Sequence, residues 1–134
     1  MPILIQATAV TVREEAWGLV VSWGIDPPPE DEDVCSYLML QRKTPFDEQD
    51  RHLGHDNVYI ECCGQGWSWY GHITRFELHR DSVRVIFAPE AAARMRDDGR
   101  VRVDFTVDDP TFRGLQVALG RVFDGFGYYA DMVS

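Results

Sequence analysis

Apolar and polar positions alternate over most of the chain, the periodicity of strands whose successive side chains point to opposite faces. Ile3 to Val12 alternates β-formers with small or polar residues, and after Arg13-Glu14-Glu15 the run Trp17 to Trp23 alternates again, predicting an opening hairpin. In the second run Trp17, Leu19, Val21 and Trp23 share the face expected to enter the core. Tyr37 to Arg42 and Val58 to Glu61 carry the aliphatic, aromatic and β-branched residues that suit a half-buried pleated surface. His72 to His79 and Val83 to Phe87 form a further hairpin, with Val83, Val85 and Phe87 on one face and Arg84 and Ile86 on the other. Ile73 is out of phase with Phe76 and Leu78, which predicts a bulge near Thr74 or Arg75. Val101, Val103, Phe105 and Val107 alternate with Arg102, Asp104 and Thr106, a one-sided strand expected to lie antiparallel to its neighbour.

The period lengthens twice. Pro89 followed by Glu90 to Arg96, with Gly99 as the stop, predicts a short helix. Asp109-Pro110 reads as an N-cap and first turn, and Phe112, Leu115, Ala118, Leu119, Val122 and Phe123 recur at helical spacing on one face. Gly125 ends that helix and leaves an aromatic tail, Phe126 to Asp131. Strands come first and the long helix last, without β-α-β alternation. The pattern predicts an α+β fold: a mainly antiparallel twisted sheet of about seven strands, a C-terminal helix packed on one face, and one short extra helix. With no repeat and no linker that splits the chain, residues 1–134 read as a single domain.

Composition adds a constraint on partners. The net charge is −9, which disfavours nucleic acid and anionic lipid and favours encounter with a basic protein. The N-terminus has neither a basic leader segment nor an apolar run of membrane-spanning length, so the expected location is the cytoplasm. Cys35 and the adjacent Cys62-Cys63 show no metal-ligand spacing and are expected to be reduced structural thiols.

Leu38 to Glu61 is the stretch that looks shaped for a partner: two strand-like ends enclose a charged connection. Pro45 bars a central strand there, Phe46 and Leu53 are candidate anchors, and Asp47, Glu48, Asp50 and Asp56 are left facing water. Trp67-Ser68-Trp69-Tyr70-Gly71 supplies aromatics that serve either as core packing or as interface anchors. Pro27 to Asp33, with three prolines and a run of carboxylates, reads as a solvated extended loop.

Catalytic chemistry finds little support. His52, His55 and Asp56 lie within one loop, but neither HExxH nor paired CxxC occurs, so no metal or other cofactor is called for. Clustered carboxylates on a polar loop stay solvated, and no nucleophile with a base or glycine-rich phosphate loop is recognisable.

Leu38-Met39-Leu40-Gln41-Arg42, Phe46-Asp47-Glu48-Gln49-Asp50 with Leu53-Gly54, Tyr59-Ile60-Glu61, and Trp69-Tyr70-Gly71 running into Ile73 and Phe76-Glu77-Leu78 resemble, block by block and in order, the immunity protein 10 family of bacterial polymorphic toxin systems. The resemblance implies a small cytosolic α+β protein that binds and neutralises a cognate toxin without catalysis. On that basis the expected contact set is a carboxylate rim of Asp47, Glu48, Asp50 and Asp56 around the aromatics Trp69 and Tyr70, facing a toxin that, if a nuclease, presents a basic substrate site. The alternatives are a small hydrolase or metal-dependent enzyme using His52, His55 and Asp56, and a regulatory binding module. The loop from Pro27 to Asp33, the Cys62-Cys63 pair and the tail after Gly125 lie outside the resemblance.

Overall fold

The computed structural model describes residues 2–31, 34–64, 66–95 and 97–133. In chain order the strands are β1 (Ile3–Gln6), β2 (Ala9–Glu15), β3 (Gly18–Gly24), β4 (Tyr37–Lys43), β5 (Tyr59–Cys62), β6 (Ser68–Tyr70), β7 (Ile73–Leu78), β8 (Ser82–Phe87), β9 (Arg100–Asp104) and β10 (Tyr129–Asp131). The helices are α1 (Glu48–His52), α2 (Pro89–Ala92) and α3 (Asp109–Val122), with a 3-10 turn at Asp97–Gly99.

The strands form two five-stranded sheets where the alternation pattern predicts one sheet of about seven. The first sheet is an antiparallel meander in the order β2-β3-β4-β5-β6. The second has the order β1-β9-β8-β7-β10, antiparallel at its centre and parallel at both edges. The split occurs inside the run Ile3 to Val12. The Ala7 amide donates to Asp104 O at 2.8 Å in the second sheet, whereas the next amide, Thr8, donates to Gly24 O at 2.8 Å in the first. Alternation persists across such a crossing, so periodicity alone does not reveal it. β9, expected to lie antiparallel to its neighbour, is antiparallel to β8 but parallel to β1, with Ile3 opposite Val101.

Core formation follows the period-2 pattern. Leu19, Val21 and Trp23 are buried as expected, but Trp17 sits in the turn before β3 and is 44% exposed. The first sheet and the second share one core with α3, which buries Phe112, Leu115, Ala118, Leu119 and Val122. Phe76 joins the layers, its ring 6.2 Å from Trp23 and 4.8 Å from Phe123. The cap of α3 is Asp108, one residue earlier than the Asp109-Pro110 signature suggests; its side chain accepts from Thr111 N at 2.9 Å, leaving Asp109 and Pro110 in the first turn. At the other end Arg42 donates to Val122 O at 3.0 Å and Asp124 O at 2.6 Å, placing a cation where carbonyls are unpaired and the helix dipole is negative.

Three smaller features locate the rest. The register of β7 against β8 shifts between Ile73 and Arg75, the expected bulge. The helix at Pro89 stops at Ala92, and Gly99, at φ +69°, lets the chain pass so close to it that a Cβ there would stand 2.6 Å from Ala92 Cβ. The aromatic tail docks: β10 pairs with β7, and the Tyr129 ring stacks on Phe123 at 4.8 Å. The loop from Pro27 has no helix or strand among its described residues; Glu32 and Asp33, part of the expected acidic loop, lie outside them.

Candidate functional site

The connection between β4 and β5 is more ordered than an acidic loop requires, because two of its carboxylates cap a helix. Asp47 Oδ1 accepts from Asp50 N at 2.8 Å while Asp50 Oδ2 accepts from Asp47 N at 2.9 Å, a reciprocal capping box that starts α1. Lys43, the last residue of β4, reaches both carboxylates, at 3.1 Å to Asp47 and 2.9 Å to Asp50. The Asp50 amide, followed by the Lys43 ammonium, holds the Asp47 carboxyl below the usual aspartate range. The same contacts, led by Asp50, push the Lys43 ammonium up. Phe46 is half-buried beneath the Arg42 guanidinium, 5.1 Å from its ring centre, and anchors the loop; Leu53, the other expected anchor, is 54% exposed.

Strand register builds a concavity beside this helix. Gln41 on β4 pairs with Tyr59 on β5, which pairs with Tyr70 on β6, so the three side chains line one row across the outer face of the first sheet. Trp17, Lys43, Asp50, His55 and Asn57 complete the wall. Tyr70 stacks on His55 with ring centres 4.0 Å apart and an interplanar angle of 12°, and meets Tyr59 at 5.3 Å. Beyond Tyr59, the buried carboxylate of Glu61 accepts from the phenols of Tyr59 at 2.6 Å and Tyr37 at 2.5 Å. Burial, then the hydrogen bond to Glu61, raises the ionisation of both phenols above the ordinary tyrosine range.

Of the six contact residues expected from sequence, Asp50 and Tyr70 line this concavity, and Asp47 joins it through Lys43. Glu48 and Asp56 are exposed on the same connection, with no ion-pair partner among the described residues. Trp69 is placed elsewhere. Strand alternation turns it to the inner face, where it packs half-buried against Phe87 with ring centres 5.4 Å apart. Trp17, Gln41 and Lys43 escape sequence reasoning because they come from separate segments; only the register of β3, β4 and β5 puts them beside Tyr70.

Charge is unevenly spread. The outer face of the second sheet carries Arg75, Arg84, Arg100 and Arg102 around the exposed Ile86, with Arg84 directly opposite Arg102. Arg102 is tied to Asp104 at 2.7 Å and Arg75 to Glu77 at 2.5 Å. The carboxylate-bearing connection thus belongs to one sheet and a basic face to the other.

His52, His55 and Asp56 do not bring three ligand atoms together; among the described residues that distinction falls to Cys35, Cys62 and Cys63, whose sulfurs all lie within 4.8 Å of one another. The cysteines also correct the expectation of three reduced thiols. Cys35 and Cys63 form a disulfide, and Cys62 keeps its thiol. Leu38 pairs with Cys62, which carries the segment before β4 to the end of β5 and closes a sequence gap of 28 residues.

No helix among the described residues is long and apolar enough to cross a membrane. No curated protein and no solved structure matches the chain significantly. A sequence profile of one family does, described as immunity protein 10 and aligned with residues 6–113, from the end of β1 into the first turns of α3. That span takes in the whole first sheet, the three central strands of the second, the α1 connection and the concavity beside it, and the chain belongs to the immunity protein 10 family.

Proposed function

We propose that this chain is a single-domain immunity protein that binds a cognate bacterial toxin as a stoichiometric, non-catalytic complex in the cytoplasm. Family membership over residues 6–113 is the observation that carries the reading. The α1 connection and its concavity are the proposed contact surface. Tyr70, 38% exposed, offers a large side chain already stacked on His55, so little rotamer freedom remains to be lost on binding. Glu48 and Asp56 supply unpaired negative charge at the rim, while Asp47 and Asp50 hold the helix that presents it. Trp69 contributes from beneath, by supporting the strand that carries Tyr70. Such a rim speeds encounter with a basic surface, and a nuclease active site, built to hold phosphates, is the kind of target it fits.

The test is co-expression with the toxin encoded beside it, scoring survival and recovery of a one-to-one complex. Glu48→Lys combined with Asp56→Lys spares the capping box. It should slow association at least about tenfold at low salt and flatten the salt dependence, with an unchanged melting temperature. Absence of both rescue and complex would sink the immunity reading. Rescue and complex formation with unaltered association of the double variant would move the interface off the α1 connection.

A further inference from the structure

We propose that the thiol form of Cys35, Cys62 and Cys63 is a binding site for one thiophilic divalent ion of the zinc class, which the disulfide closes. Three observations converge. The three sulfurs come from two segments far apart in sequence and meet at the edge of the core, Cys35 and Cys62 buried and Cys63 half-buried. Neighbouring residues of a strand point to opposite faces, so Cys62 and Cys63 would ordinarily diverge. Instead Cys63 takes a left-handed φ of 65°, uncommon for a residue other than glycine, and its sulfur comes to 3.3 Å from that of Cys62. A disulfide needs two sulfurs; here the third lies against both.

One of the three sulfur spacings is already that of a metal–thiolate set. With Zn–S bonds of about 2.3 Å at tetrahedral angles, two sulfurs on one ion stand about 3.8 Å apart. Cys35 Sγ and Cys62 Sγ are 3.7 Å apart. Cys62 Sγ and Cys63 Sγ need to separate by about half an ångström, and opening the disulfide frees Cys35 and Cys63 to move apart by about 1.8 Å, from a covalent bond of about 2.0 Å. Three thiolates and a divalent ion leave one net negative charge, far less costly in a buried site than three bare thiolates. A water reaching the half-buried Cys63 would complete the four ligands.

The balance is simple. A cellular dithiol reductant gives two electrons and two protons to the Cys35–Cys63 disulfide and is itself oxidised to a disulfide. The ion then displaces the thiol protons of Cys35, Cys62 and Cys63 as three S–metal bonds form. In the reverse direction a cellular disulfide takes two electrons from the Cys35 and Cys63 thiolates and two protons from solvent, becoming a dithiol as the Cys35–Cys63 bond re-forms; Cys62 regains its proton and the ion leaves.

The test uses the full chain, reduced and then separated from reductant without air, and titrated with Zn2+ against a chromophoric chelator. One equivalent should bind to the reduced chain, and the oxidised chain should bind at least about a hundredfold more weakly. Cys62→Ser decides between the proposal and a plain disulfide, because the disulfide does not use Cys62. It should weaken Zn2+ binding at least about tenfold, whereas His52→Ala should leave it unchanged. Should Cys62→Ser fail to fold, Co2+ bound to the unsubstituted reduced chain gives the same answer, since its charge-transfer intensity counts thiolate ligands. Three thiolates support the site. Fewer than three, no binding by the reduced chain, or equal binding by Cys62→Ser overturns it.

Discussion

Adjacent residues on β6 should respond in opposite ways to the same truncation, because strand alternation sends Trp69 inward and Tyr70 outward. Full truncation of a buried Trp to Ala costs about 3–5 kcal/mol. Trp69 is half-buried, with its ring against Phe87 at 5.4 Å, so about 2–3 kcal/mol is the expected loss. At this chain length that lowers the melting temperature by roughly 6–15 °C. Tyr70→Ala removes the stack on His55 and the contact with Tyr59, together worth at most about 1 kcal/mol on an exposed surface, and should lower melting by less than about 5 °C. The proposed function reverses the order in toxin binding. An aromatic anchor carries about 2 kcal/mol or more, so Tyr70→Ala should weaken the complex about thirtyfold or more, mainly through faster dissociation, while Trp69→Ala changes affinity little at temperatures where it is folded. Differential scanning calorimetry and surface-based binding kinetics on both variants read the two axes. Comparable melting losses in the two variants, or loss of affinity confined to Trp69→Ala, would refute the assignment of faces.

Acid should loosen the α1 connection before the sheets. Asp47 is held below the ordinary aspartate pKa by the Asp50 amide and then by Lys43, so its stabilising effect is complete above the unfolded value of about 3.9 and is lost as pH falls through the lower folded value. Amide exchange in α1 should therefore accelerate below about pH 4 while β8 and β9 stay protected; constant α1 protection down to pH 2 would contradict the capping argument. Arg42→Met keeps the stem that covers Phe46 and Phe126 but strips donors from the last carbonyls of α3, and should cost about 1–2 kcal/mol in chemical denaturation; a neutral result would mean water replaces the guanidinium there at no loss.

Much of the second sheet was readable from the chain because its strands are buried on one side only. Val83, Val85 and Phe87 against Arg84 and Ile86, and Val101 and Val103 against Arg102 and Asp104, show inward and outward faces as printed in the sequence. The number of sheets was not readable, since the crossing at Ala7 and Thr8 changes hydrogen-bond partners without disturbing alternation. α1 was missed for a related reason. All five of its residues are polar or charged and none is buried, so it has no apolar stripe, and its signal is the reciprocal pair Asp47 and Asp50 three positions apart. At the site, the exposed carboxylates and Tyr70 were legible as chemistry. Trp69 was grouped with Tyr70 because both are aromatic, although a strand of only three residues necessarily parts them. The cysteine cluster was hidden by spacing: a gap of 28 residues matches no metal motif, and only the pairing of β4 with β5 closes it.

The partnership of the first strand with the ninth sets a clock on synthesis. Ile3 pairs with Val101, so β1 emerges from the ribosome 98 residues ahead of its neighbour. At about 5–20 residues per second it waits roughly 5–20 s as an apolar segment without a ladder. The β2-β3-β4-β5-β6 meander, whose pairings are all between successive strands, can close during that interval, while the second sheet cannot. On the proposed function, protection would therefore come only late in each round of translation, and a copy stalled before Arg100 offers the α1 connection on an unfinished core.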